Sequence, residues 1–170
     1  MLNPRPSVFS QSAPHVVQGL SRRHLEALAR DLRPSDRTEV AAWGLEPRRA
    51  LELSANASTE VYTVLSGDRV VMAFGVGPKP LDGEPAYGIW MLSTPLLEDF
   101  PRQVAREARA WIDQFKRRYG TLWNIAHASN ELHVRWIDWL GFSRQRNGTS
   151  GSWVQFVSRS SRPSPSRIGK

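Results

Sequence analysis

The sequence predicts an α/β chain, in the broad sense that includes α+β: a mixed, mostly antiparallel central sheet with helices on both faces. Three observations carry this. Apolar residues at helical spacing fill the stretch 21–55. A block rich in β-branched and aromatic residues, broken by turn residues, follows at 60–92. The last third alternates a long helical pattern, an apolar run, a short helical pattern and a final β-rich run. Helices placed between strands in this order each bury one apolar stripe and need a sheet to pack on.

Taken along the chain, residues 1–14 mix prolines and serines with scattered polar residues and read as an extended arm. Residues 15–20 form a short strand candidate. Ser21 suits an N-cap, Leu25, Leu28, Ala29 and Leu32 follow at helical spacing, and Pro34 is expected to end that helix. Ser35 or Asp36 can cap a second helix, with Val40, Ala41 and Trp43 as its apolar contacts and Gly44 as its stop. A third helix is expected over 46–55, with Pro47 near its start. Runs 60–65 and 70–76 pattern as a hairpin around Ser66-Gly67-Asp68. After a Pro/Gly-rich loop, 87–92 is apolar on both faces and reads as a central strand.

Pro101 opens a long helix with Val104, Ala105, Ala108, Trp111, Ile112 and Phe115 on one face. Lys116, Arg117 and Arg118 sit at its C-terminal end, where the helix dipole favours cations, and Gly120 closes it. A strand at 122–128 and a helix at 131–140 follow, the helix with Leu132, Trp136, Ile137 and Leu140 inward. A final strand at 152–157, paired with 143–147 across the turn Asn147-Gly148, completes one domain at 15–157. Residues 158–170 read as a basic disordered tail.

Net charge is +7, and the tail carries +4 of it through Arg159, Arg162, Arg167 and Lys170 with no acid. The tail is either a solvated end or a weak nucleic-acid contact through phosphates. It has no aromatic residue on which bases would stack. The absence of cysteine excludes disulfides, thiolate zinc sites and cysteine nucleophiles. No run approaches the ~18 apolar residues of a membrane span, and the first 20 residues lack the apolar core of a leader. Seven tryptophans, each able to bury roughly 150–250 Å², supply much of a core from few positions.

Candidate chemistry is sparse. His127 and His133 flank Asn130 but have no carboxylate at ligand spacing, so no metal is expected. Ser93 and Thr94 place hydroxyls at the carboxyl end of the central strand, where open sheets bind ligands; a structural turn is the other reading. Arg135 shares a helix with Trp136 and Trp139, either for a cation–π contact or as a solvent-facing charge. No Ser-His-Asp set or carboxylate pair can be assembled.

The end of the domain is more specific. A strand runs into Asn130, then a helix, then Gly141 and Phe142. Asn can cap the helix, Gly can take the left-handed conformation that stops it, and Phe returns the chain to the core. In element order and in these intervals the chain resembles the GNAT superfamily of N-acetyltransferases. Active members of that family carry a Gln/Arg-x-x-Gly-x-Gly/Ala loop at the start of the long helix, whose backbone N–H groups bind the pyrophosphate of acetyl-CoA. Here that stretch, Ser93-Thr94-Pro95-Leu96-Leu97-Glu98-Asp99-Phe100-Pro101-Arg102, has no glycine. Pro95 and Pro101 remove two donors, Glu98 and Asp99 add negative charge, and only Arg102 and Gln103 offset it. Active members also often place a Tyr acid seven residues after the Asn; Ile137 stands there.

The resemblance thus implies the fold without a catalytic residue and without a cofactor. The alternative is a divergent acetyltransferase that holds acetyl-CoA at Ser93, Thr94 and Arg102. A second resemblance is to the small internal virion protein family of short-tailed phages. It rests on Asn130, His133, Arg135, Trp136, Trp139, Leu140, Gly141 and Phe142, on Arg33-Pro34-Ser35-Asp36, and on Val71-Met72-Ala73-Phe74-Gly75-Val76. It implies a component of the virion or of its assembly in the host cytoplasm, with other phage structural proteins as partners.

Overall fold

The computed structural model describes residues 12–145 and 151–159. The chain starts with strand β1 (His15–Gln18) and helices α1 (Arg22–Arg30), α2 (Pro34–Ala42) and α3 (Pro47–Asn56). Strands β2 (Glu60–Ser66), β3 (Arg69–Pro78) and β4 (Tyr87–Ser93) follow. A single 3-10 turn, Pro95–Asp99, leads into α4 (Pro101–Tyr119). Then come β5 (Leu122–His127), α5 (Glu131–Trp139), the two-residue β6 (Ser143–Arg144) and β7 (Trp153–Ser158). The arm at 1–11, the tail at 160–170 and the turn Asn147-Gly148 lie outside the described residues. Residues 12 and 14 are tied down: Ser66 Oγ donates to the Ser12 carbonyl and Gln103 to that of Pro14. Ser158 belongs to β7, opposite Leu122, rather than to the tail. Among the described residues no helix is long and apolar enough to cross a membrane.

Among the described residues seven strands form one sheet in the order β1-β2-β3-β4-β5-β7-β6. Every pairing is antiparallel except β4 with β5. That pair makes only two register contacts, Tyr87 with Leu122 and Gly88 with Trp123. From Ile89 onward β4 runs free of β5, and the sheet opens into a wedge. The backbone accounts for the open edge. Ala128 donates to Ser152, so by the alternation of an antiparallel ladder Asn124 and Ala126 face β7 and Ile125 faces the wedge. The Ile125 N–H is then taken by the Oδ1 of its own neighbour Asn124, at 2.8 Å. A side chain thus satisfies a donor that a longer parallel ladder would have used.

Two layers cover the sheet. On one face α1, α2 and α3 pack Leu28, Leu32, Val40, Ala50 and Leu51 against Leu65, Val70 and Ala73. On the other, α4 and α5 pack Val104, Ile112, Phe115, Val134 and Ile137 against Met72, Phe74 and Phe156. Phe115, Phe156, Leu28 and Leu51 are fully buried, each worth roughly 1.5–3 kcal/mol of transfer free energy. β3 has one extra residue: the register slips between Val64 and Leu65, leaving Val71 as a bulge.

Several expectations are corrected at the helix ends and faces. Pro34 opens α2, where its missing N–H costs nothing, and α1 ends earlier with Asp31 as its cap. Neither Ser35 nor Asp36 caps α2; Arg33 holds that position without a side-chain bond. Trp43 and Leu132, expected inward, are exposed. On α5 the buried side is His133, Val134 and Ile137.

Candidate functional site

The carboxyl ends of β4 and β5, where the sheet parts, hold most of the buried polar groups. Ser93 is the last residue of β4 and is fully buried. Asp36, in the first turn of α2, accepts from the Ser93 amide at 3.0 Å and from the Ser93 hydroxyl at 2.8 Å through the same Oδ2. Its other oxygen takes the Arg33 guanidinium at 2.7 Å, both side chains about 95% buried (6% and 5% exposed). The Arg33 amide in turn donates to the Ser93 carbonyl at 2.8 Å. The sequence Arg-Pro-x-Asp explains the local geometry. Pro34 starts the helix, and the i, i+3 spacing sets guanidinium and carboxylate on one side of it.

The network continues across the wedge. Asn130 Nδ2 donates to Glu39 Oε2 at 2.7 Å and lies 3.5 Å from Asp36 Oδ1. Its Oδ1 accepts the His133 amide at 3.3 Å, the N-cap bond of α5. His133 Nδ1 lies 3.2 Å from Glu39 Oε2. α2 belongs to one layer and α5 to the other, so these bonds pass through the sheet. Only the splay of β4 from β5 permits this. Asp36 and Glu39 on one side and Asn130 and His133 on the other form a polar bridge over the carboxyl end of the wedge.

Below the bridge the wedge opens into a cleft on each face. The cleft on the α1–α3 side has about 350 Å³ and is lined by Trp43, Leu53, Trp90, Trp123 and Ile125. The one on the α4–α5 side has about 70 Å³ and is lined by Val104, Trp111 and Trp136. Both share Ile89, Trp90, Met91, Asn124 and His133. This is why every residue of β4 from Tyr87 to Leu92 is only partly buried, although the strand is central. Trp90 and Trp123 spend their indole N–H groups on Ser58 Oγ and the Lys79 carbonyl. The Lys79 ammonium lies 4.4 Å from the Trp123 ring, and burial holds it below the ordinary lysine value.

The residues expected to hold a cofactor are placed as follows. Ser93 has both its donors on Asp36. Thr94 donates its amide to Val71 and its hydroxyl to the carbonyls of Val70 and Val71. The Leu97 and Phe100 amides close the 3-10 turn onto Thr94 and Leu97. Pro95 and Pro101 have no N–H to give. Arg102 is exposed on the first turn of α4. The Ser93, Thr94, Leu97 and Phe100 amides are thus already bonded, a buried carboxylate faces the Ser93 amide, and the Arg102 and Gln103 amides in the first turn of α4 are the ones without an intrahelical partner.

The motif residues have structural positions. Asn130 and Phe142 are buried, Gly141 takes φ 88° after α5, and Ile137 is 2% exposed in the core. Trp139 stacks with Arg109, not Arg135, with the guanidinium 4.0 Å from the ring centre. The tyrosines lie at the opposite end of the sheet. Tyr87 and Tyr119 rings stand 4.6 Å apart. The Tyr119 and Tyr62 hydroxyls both donate to Glu60, which also pairs with Arg118 at 2.7 Å. Burial pushes the Glu60 carboxyl up, but the two phenols and Arg118 outweigh it and the net shift is downward. Burial, then the bond to Glu60, push both phenols up to about 12. Among the described residues no three metal-ligating side chains cluster.

Glu39 is the site residue that the sequence does not single out, and Arg33 and Asp36 stand out there only as resemblance residues and, for Asp36, as a cap candidate. Arg-Pro-x-Asp was visible as a pattern, but nothing local to it points at Ser93, 57 positions away.

No family model matches the chain, and no curated protein matches it. Solved structures do. PH1933 from Pyrococcus horikoshii superposes with TM-score 0.65 at 16% identity, covering 86% of this chain and 98% of that one. The GNAT domain of PAT from S. lividans gives 0.63 at 10% identity, covering 85% and 89%. The ribosomal-protein-S18-alanine N-acetyltransferase of Escherichia coli gives 0.59 at 16% identity, covering 91% and 98%. At such identities the likeness concerns architecture, and the chain has the fold of the GNAT acetyltransferases.

Proposed function

We propose that the chain is a non-catalytic protein of acetyltransferase fold that works through protein contacts, as a component of a phage particle or of its assembly. The observation that carries the first half is the capture of both Ser93 donors by buried Asp36. An incoming pyrophosphate would meet a carboxylate and two prolines where it needs N–H groups. The phage assignment is supported by the motif residues from Asn130 to Phe142 and by Arg33-Pro34-Ser35-Asp36. On this reading the chain resides in the virion and, during assembly, in the host cytoplasm.

Calorimetry with acetyl-CoA tests the first half. The expected result is no heat of binding up to millimolar cofactor; a micromolar dissociation constant overturns it. Mass spectrometry of gradient-purified particles tests the second, and absence of the chain from them removes it from the virion.

The second reading is a divergent acetyltransferase with acetyl-CoA held at Ser93, Thr94 and Arg102. The first turn of α4 favours it, because backbone bonding there begins with Val104 and leaves the Arg102 and Gln103 amides without an intrahelical partner. The same titration decides, because this reading requires the heat that the first forbids. The basic tail adds a weak nucleic-acid contact. Its signature is a salt-dependent affinity for oligonucleotides that flattens when residues 160–170 are deleted.

A further inference from the structure

We propose that the outward face of the α4–α5 layer is a docking surface for an acidic amphipathic helix of a partner protein; this deepens the reading of the chain as a binding protein and rests on it. α5 already buries Val134 and Ile137 against the sheet, with His133 turned to the polar bridge beside them. It carries a second stripe at i, i+4, i+7: Leu132, Trp136 and Trp139. Trp136 fills the seam to α4, but Leu132 is 48% and Trp139 42% exposed.

The neighbouring helix supplies charge. β4 and β5 are parallel and each is followed by a helix on the same face, so α4 and α5 run side by side in one direction. Arg109 marks the register: it donates to the Trp139 carbonyl at 2.8 Å and covers one face of its ring. Arg106 and Arg102 continue that row toward the start of α4, and Arg135 stands between Leu132 and Trp139 on α5. All four arginines are exposed. None forms an ion pair among the described residues, whereas Arg22, Arg30, Arg48 and Arg144 each pair with a carboxylate. Asp113 follows one turn further along α4. The face is therefore an apolar stripe beside a row of guanidinium groups that form no ion pair among the described residues, both running along the helix axes. A third helix lying along them matches it with one apolar face and flanking carboxylates.

Other occupants fit less well. A nucleic acid would need a free aromatic face. Trp139 has Arg109 on one side and Trp136 against it, ring centres 5.8 Å apart at 36°. A second copy of the chain would set arginine rows against each other.

Fluorescence anisotropy on the full chain tests this with a labelled helical peptide that has leucines along one stripe and glutamates elsewhere. The expected result is micromolar binding, at least roughly 10-fold weaker for the same peptide with lysines in place of the glutamates. Trp139→Ala and, separately, Arg102→Glu with Arg106→Glu each weaken it by about 10-fold or more, as anchors of an interface do. The charge variants alter only exposed positions, so a folding defect in Trp139→Ala leaves the test intact. Equal binding of both peptides, or unchanged binding by the variants, overturns the proposal. So does tighter binding of a dT oligonucleotide that the same variants abolish, or a dimer in sedimentation that they dissociate. The cofactor titration is independent. Acetyl-CoA binding sinks the non-catalytic reading, while peptide results that fail with cofactor silence intact sink only this surface.

Discussion

Asp36 shows how one carboxylate can settle a local question. It neutralises a buried guanidinium and ends β4 by accepting from the Ser93 amide and hydroxyl. Removing it strands Arg33, whose Nε already has no partner among the described residues. Asp36→Ala is expected to cost about 3–5 kcal/mol, the usual penalty for breaking a buried pair, read from urea denaturation. A loss below about 1 kcal/mol would mean that the bridge does not hold the helix to the strand. Glu60 makes a prediction in pH. Its folded value is lowered, so its contribution is present above the unfolded value of about 4.3 and is lost as pH falls through the folded one. The phenols of Tyr62 and Tyr119 have raised values, so their contribution is present below about 10 and is lost as pH rises toward about 12. Thermal melting followed against pH should lose part of its acid limb in Glu60→Gln and part of its alkaline limb in Tyr119→Phe. Unchanged profiles would show that the cluster does not couple to folding.

At the scale of elements, two glycines set close limits. A Cβ at Gly77 would lie 2.1 Å from the Ala57 carbonyl oxygen, because β3 passes directly under the end of α3. Gly77→Ala must push backbone apart, and a loss of roughly 1–3 kcal/mol is expected, the range for overpacking. Gly141 has open space around it but φ 88°, so Gly141→Ala costs only the left-handed strain of about 1–2 kcal/mol. Chemical denaturation of both variants checks the pair; a larger effect at Gly141 than at Gly77 would contradict this. The same contrast explains what could be read beforehand. Ser21, Pro47, Pro101 and Asn130 act within a few residues of themselves and their helices start where expected, as α4 stops where Gly120 predicts. Apolar residues at helical spacing do not say which of two stripes meets the sheet, so Leu132 and Trp43 lie outward against expectation. The partner of Asp36 was invisible because a bond spanning 57 positions leaves no periodicity.

For the whole molecule, the wedge is what relates fold to function. The mixed, mostly antiparallel sheet with helices on both faces is that of the acetyltransferase fold, and element order was enough to expect it; the strand order and the parallel β4–β5 pair come from the structure. Here a bridge of Asp36, Glu39, Asn130 and His133, contributed by the two helical layers, spans the carboxyl end of the opening. The account therefore turns on the Ser93 amide. Amide-resolved NMR with hydrogen exchange and a titration of acetyl-CoA addresses that group directly. The account predicts a Ser93 amide protected from exchange in the free protein, with Ser93, Thr94 and Arg102 resonances unmoved up to millimolar cofactor. A Ser93 amide that exchanges freely and shifts to saturation at micromolar acetyl-CoA would contradict it.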